Sequence, residues 1–343
     1  MAEAEKPKGT NKLISIGLPL VITAVAAWLV LRQINFQDLG NAFKQVSVSS
    51  LLLIVLFYTL GSIFRAVACW IILGGKVSFM STFWGMNLGY LLNSIMPLRL
   101  GEFGRAAFIS ENQKGKIGFF EVFASVVAER LLDLLVGFSF LIFCLLFLVK
   151  NDSLQQLAIV GTVVLVIGLA FIFYATRNQE KVISWLHGIF PNSKFMQEKI
   201  VPTIEKLLSG FQFFVKPGRF LLSFVILAFS WTFSMFEYGL LQNILLPSSE
   251  WWWPVLVIPA SAFANALPAA PGGLGVYEAG AVGAYALVGV AKAPALAMAL
   301  ITHSAQIIIP SILGVIGLML SSQSLGSLIN RATQFKQKKD DEQ

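Results

Sequence analysis

The stretch NSIMPLRLGEFGRAAF, residues Asn93 to Phe108, decides how this chain is read. It sets Pro97, Gly101 and Gly104 among the charges Arg99, Glu102 and Arg105, inside a sequence that is otherwise strongly apolar. Of 343 residues, 56% are hydrophobic and 13% charged, with a mean hydropathy of +0.75. Soluble domains average roughly 45–50% apolar and 25% charged residues. Runs that reach the about 20 apolar residues of a bilayer-spanning helix lie at Leu13–Leu31, Leu51–Leu73, Gly118–Val149, Leu154–Ala175, Phe220–Leu246 and most of Trp251–Leu320. Lipid offers no partner to an unpaired backbone group, so helices are the expected element. The fold class is therefore an all-α, polytopic integral membrane protein.

The basic residues lie in short connections and at the termini rather than along one stripe. The formal charge of +7 thus reads as membrane orientation, not as nucleic-acid binding. The longest polar segment, Arg177 to Arg219, carries Arg177, Lys181, Lys194, Lys199, Lys206, Lys216 and Arg219 against Glu180, Glu198 and Glu205, and is expected to be cytoplasmic. Its residues Ile200, Ile204, Leu207, Leu208 and Phe211 recur at helical spacing, which suits amphipathic helices lying on the inner surface or packing on the protein. The first run follows Lys6, Lys8 and Lys12 but lacks a small-residue cleavage site, so it reads as a retained helix. Both termini are expected inside, the last ahead of a tail with Lys336, Lys338 and Lys339. This gives one transmembrane domain: a first half at 13–175, a linker at 176–219, a second half at 220–320 and a basic tail at 322–343. Cys69 and Cys144 fall in apolar runs and are expected to pack as small hydrophobic groups, unlinked. Two cysteines and two histidines this far apart make no metal site, and no cofactor is expected.

Counting crossings returns the argument to the opening stretch. For the linker to be inside, everything from Phe79 to Lys116 must stay on the inner side, so Phe79–Phe108 enters and leaves by one face. Pro97, Gly101 and Gly104 then mark the bend of a re-entrant hairpin, which is tolerated at membrane depth only where protein or a water-filled cavity shields its backbone. A second such stretch, ANALPAAPGGLGVYEAGA, runs from Ala264 to Ala281 and bends at Pro271, Gly272, Gly273 and Gly275. Setting Pro97 on Pro271, an offset of 174, places Leu100 on Leu274, Gly101 on Gly275, Phe103 on Tyr277 and Ala107 on Ala281. The same offset sets Glu129 on His303. Two broken segments entering from opposite faces are the sequence pointer to an inverted-repeat transporter with its site near the midplane. The plainer alternative is a pair of helix kinks at proline and glycine.

Ionisable groups at membrane depth are costly and usually face a bundle interior or a cavity. Here they are Arg65, Glu237, Glu278, His303 and the triplet Glu129, Arg130 and Asp133 in AERLLDLL, with Arg99, Glu102 and Arg105 beside the first bend. Arg130 reaches Asp133 at i, i+3. Such a set either locks helices together or lines a polar path for a phosphate, which arginine binds through its planar fork. His303 either satisfies a local hydrogen bond or titrates and couples protons to transport.

MPLRLGEFGRA, AERLLDLL and PAAPGGLGVYEAG, in that order, resemble the hallmark segments of the lysylphosphatidylglycerol synthase transmembrane region family, also described as the flippase-like domain family. The resemblance spans roughly residues 10 to 322, and the matching positions are Pro97, Arg99, Gly101, Glu102, Gly104, Arg105, Glu129, Arg130, Asp133, Pro271, Gly272, Gly273, Gly275 and Glu278. It implies a polytopic inner-membrane protein. In the two-domain synthases this region is assigned to moving the aminoacylated lipid between leaflets. This chain ends at Gln343 after its basic tail, so the expectation is translocation without lipid synthesis. The cargo stays open among aminoacylated lipids, other phospholipids and polyprenyl-phosphate-linked molecules. No catalytic constellation stands out, although Glu129 with Asp133 leaves a lipid-modifying enzyme as an alternative. A third reading is a non-catalytic membrane partner of an enzyme that supplies the lipid, and self-association is left open.

Overall fold

Serine caps and proline starts set where the helices begin. In the computed structural model, Ser47 Oγ accepts the Ser50 N–H and Ser78 Oγ accepts the Ser81 N–H, each at 3.2 Å, opening two helices. Such caps satisfy backbone donors that have no partner within the helix. Pro217 and Pro254 stand in the first turns of two others, where a missing N–H costs nothing. The structure describes residues 28, 36–96, 100–113, 117–149, 152–191, 193–267 and 270–321. The first apolar run, apart from Trp28, the bend residues Pro97 and Arg99, and the basic tail lie outside the described residues.

Among the described residues there are twelve α-helices and no strand. They are α1 (Phe36–Lys44), α2 (Val48–Ile72), α3 (Phe79–Ile95), α4 (Gly101–Asn112), α5 (Phe119–Phe147), α6 (Asp152–Arg177), α7 (Gln179–Ile189), α8 (Val201–Gly210), α9 (Pro217–Leu245), α10 (Trp253–Ala266), α11 (Val276–Leu287) and α12 (Lys292–Met319). Short 3-10 turns follow α8 at Phe211–Phe213 and α10 at Pro271–Gly273. Five helices, α2, α5, α6, α9 and α12, are long and apolar enough to cross a membrane. The protein is an all-α polytopic membrane protein.

Adding 174 to the bounds of α2, α3, α4 and α5 lands within five residues of the bounds of α9, α10, α11 and α12 at every end. The repeat therefore extends far beyond the five matched positions around the prolines. Packing follows the same rule: α3 lies on α12 as α10 lies on α5, and α4 lies on α5 as α11 lies on α12. The equivalent helices α2 and α9 pack on each other through Phe57 with Phe236, Gly61 with Ser230 and Phe64 with Phe229. Residue numbers rise along one helix as they fall along the other, so the pair is antiparallel. Two copies whose first helices run antiparallel are related by an axis across the helices, not along them. This is the geometry of inverted repeats.

Among the described residues, helix α6 has no counterpart. The sequence reading counted it in the first half, yet it stands beside α5 with most of its apolar side chains exposed, including Val160, Val164, Ile167 and Phe171. The linker that follows packs on the protein. Gly210 lies so close to Ala124 of α5 that no side chain would fit there, and Phe213 and Phe214 are buried. The Gln179 side chain ties α7 to α8 by donating to Glu205 O at 3.3 Å.

Candidate functional site

Each copy contributes a tight helical hairpin. In the first, Gly85 and Gly89 of α3 face Ile109 and Arg105 of α4, while Gly101 and Gly104 of α4 face Asn93 and Leu92 of α3. Small residues at these crossings let the backbones approach closely. Gly101 opens α4 and Gly104 sits in its first turn, so the chain reverses before them, between Ile95 and Gly101. Asn93 closes the reversal: its Oδ1 accepts the Gly101 N–H at 2.8 Å and its Nδ2 donates to Glu102 Oε1 at 3.3 Å. In the second hairpin, Gly280 of α11 faces Ala260, Ser261 and Ala264 of α10, and Asn265 lies against Gly273. Gly272 and Gly273, both at φ 72°, and Gly275 at φ 83° hold left-handed conformations that a side chain resists. Glu278 Oε2 then accepts the Gly275 N–H at 2.7 Å and caps α11. The second tip, Pro271–Gly273, packs on α3, with Gly272 beside Ser94. The two hairpin tips meet there.

The charges gather into one open cluster and two sealed pairs. The open cluster joins α2, α4 and α5: Arg65 NH1 bonds Asp133 Oδ2 at 2.5 Å, and Trp231 Nε1 of α9 donates to Asp133 Oδ1 at 2.9 Å. Arg130 lies at 3.7 Å from Glu102 and 3.9 Å from Asp133, with its guanidinium 5.2 Å above the Tyr90 ring. Both carboxylates are beyond hydrogen-bond range, and Arg130 Nε has no hydrogen-bond partner. Its side chain is 30% exposed and that of Glu102 22%. The first sealed pair is Arg105 with Glu129, at 2.6 Å and with exposures of 1% and 0%. Arg105 also donates to Cys69 Sγ at 2.7 Å, so that thiol is an acceptor rather than the purely apolar filler expected of it. The second is Glu278 Oε1 with His303 Nδ1 at 2.6 Å, while His303 Nε2 reaches Gly272 O at 2.8 Å.

The offset places Glu129 and His303 at equivalent positions, and each binds the second arm of its own hairpin. The signs are exchanged: a cation on the hairpin of the first copy, an acid on that of the second. Glu237 joins none of these groups; it is buried on α9, and its Oε1 has no hydrogen-bond partner. Sequence reasoning missed Asn93, Tyr90 and Trp231. Asn93 carried a signal, since an amide near the end of an apolar segment before a proline–glycine stretch suits a capping role.

The sequence pattern of the lysylphosphatidylglycerol synthase TM region matches residues 16–314, covering both hairpins and every group just described. The chain belongs to that family. It is also similar to a UPF0104 membrane protein of Pyrococcus horikoshii, 26% identical over 334 residues that cover 91% of this chain and 97% of the relative. In this member of the lysylphosphatidylglycerol synthase TM family, the matched region spans both hairpins and the helices that pack on them.

Proposed function

We propose that the protein moves a polar-headed lipid, such as a phospholipid, an aminoacylated lipid or a polyprenyl-phosphate-linked molecule, between membrane leaflets. In this reading the two hairpins are re-entrant, entering from opposite faces with the linker on the cytoplasmic side. The headgroup passes the charged cluster beside the first tip while the acyl chains stay in lipid, and no bond is made or broken. The observation that carries it is Arg130. Its carboxylate partners sit beyond hydrogen-bond range and its side chain is 30% exposed, with the unpartnered Nε itself buried. A guanidinium so placed keeps its charge and has donors to offer a phosphate bidentately. Glu102 and Asp133 balance it when no headgroup is present, so the site does not hold a bare cation in the membrane.

Reconstitution into liposomes carrying labelled lipids of each class tests this. The protein should accelerate movement of at least one class, and Arg130→Gln should slow it by roughly tenfold or more, the loss of about one charge-assisted hydrogen bond, while leaving the protein folded. Absence of protein-dependent movement for anionic, aminoacylated and polyprenyl-phosphate lipids alike would refute it.

A further inference from the structure

We propose that Glu278 and His303 form a one-proton binding site whose proton latches the second hairpin tip to α12, so that losing the proton releases the tip. The argument is one of donors and acceptors. The Gly272 carbonyl can only accept, so His303 Nε2, 2.8 Å away, carries a hydrogen. The other ring nitrogen faces Glu278 Oε1 at 2.6 Å. With Nε2 protonated, that contact holds only if one more proton lies between Nδ1 and the carboxylate, on whichever side. Without it, a nitrogen lone pair and a carboxylate oxygen face each other in a nearly dry site, with side-chain exposures of 3% and 7%. Such a contact repels.

What the contact holds is the tip itself. His303 is on α12, Gly272 is at the turn, and Glu278 Oε2 caps the helix that leaves the turn by accepting the Gly275 N–H. Releasing the dyad therefore frees a segment whose three left-handed glycines already give it a wide choice of conformations. Gly272 rests beside Ser94 on the first hairpin, so movement of the second tip changes the wall of the neighbouring charged cluster. The proton also has a way out: Gly275 is half-buried and Leu274 exposed.

The surrounding ionisable groups are few. Tyr277 of α11 stacks on the His303 ring at 4.2 Å, and its hydroxyl bonds that of Tyr238 from α9, next to Glu237. Of the other helices packed on α11 and α12, α3 brings Tyr90, α2 brings Tyr58, Arg65 and Cys69, α9 also brings Arg219, α1 brings Asp38 and Lys44, and α10 brings none; α11 and α12 themselves add Tyr285 and Lys292. Glu237 is the one other acid buried nearby, and its titration is a rival explanation that the test must separate.

Hydrogen–deuterium exchange of the purified protein in lipid nanodiscs, read for peptides covering 270–279 and corrected for chemical exchange, provides the test. Raising the pH from about 5 to about 9 should lower protection of this segment by roughly tenfold or more, with α4 and α5 unchanged. Glu278→Gln should be protected and independent of pH, because the amide donates to Nδ1 and accepts from Gly275 without a titrating proton. Glu278→Ala should be open at every pH, and Glu237→Gln should behave as the unmodified protein. A wild-type profile as flat as that of Glu278→Gln, or loss of the pH dependence in Glu237→Gln, overturns the proposal. The coupling of this site to transport rests on the function proposed above, and lipid movement scored at the same pH values separates the two. A pH-dependent exchange profile with no lipid moved defeats the transport reading alone; lipid movement with flat exchange defeats the proton site alone.

Discussion

Removing Arg105 should damage the protein far more than removing Arg130. The Arg105–Glu129 pair is sealed, and neither Glu129 oxygen has a hydrogen-bond partner besides this ion pair. Arg105→Met therefore strands a carboxylate at a site with 0% exposure. Breaking a buried pair from one side costs about 3–5 kcal/mol, whereas replacing both partners by apolar side chains of similar volume is often neutral or stabilising. Glu129→Leu should cost about the same, because Arg105 would keep only the weak Cys69 Sγ acceptor. The double variant Arg105→Met/Glu129→Leu should recover to within about 1 kcal/mol of the unmodified protein. The coupling between the sites is then about 5 kcal/mol or more, beyond a thousandfold in the unfolding equilibrium. Unfolding in mixed dodecyl maltoside and SDS micelles, followed by tryptophan fluorescence, measures all four proteins. The reasoning fails if either single variant lies within about 1 kcal/mol of the parent, or if the double variant is no more stable than the worse single one.

Two further outcomes follow from the packing and the topology. Gly314→Ala should destabilise by about 1–3 kcal/mol, since its Cβ would lie 3.0 Å from the backbone oxygen of Asn87, whereas Gly161→Ala on α6, with open space around it, should be neutral or stabilising by up to about 1 kcal/mol; the same unfolding assay ranks them. If the first hairpin is re-entrant, thiol reagents that do not cross the membrane should label Lys76→Cys and Gln113→Cys from the same face as Gln197→Cys, and Ser249→Cys from the other; labelling of Lys76→Cys and Gln113→Cys from opposite faces would show an ordinary crossing.

The hairpins were legible in the sequence because their determinants are local. Proline and closely spaced glycines interrupt apolar runs at Pro97 and Pro271, and the offset of 174 between them recurs to within five residues in the helix bounds of the two copies. The pairing of charges was not legible, because it depends on which helix faces meet. Glu129, Arg130 and Asp133 lie within five residues of one another, and spacing alone joins Arg130 to Asp133. In the structure that ion pair is present at 3.9 Å, but Asp133 bonds more closely to Arg65, 68 residues earlier, and Trp231, 98 residues later. Neighbours in sequence thus end in different environments: Glu129 points into the seal with α4 and Arg130 toward the open cluster. The sequence reading left these charges either locking helices together or lining a polar path; Arg105 and Glu129 are buried against each other between α4 and α5.

Parity accounts for α6. Under the proposed topology each copy holds one crossing, a hairpin that returns to the face it entered, and another crossing. Two crossings bring the chain back to the side where the copy began, so a second copy joined directly would be parallel to the first. One extra crossing inverts it, and α6 is that crossing, which explains why it lies outside the repeat and packs mainly on α5 and the linker. The linker then carries the chain to the start of α9, which lies antiparallel on α2. Inversion brings the two tips together end to end, at Ser94 and Gly272, rather than side by side on one face. Because the copies have exchanged their charges, the meeting point joins unlike chemistries: an open arginine–carboxylate cluster on one side and a sealed acid–histidine dyad on the other.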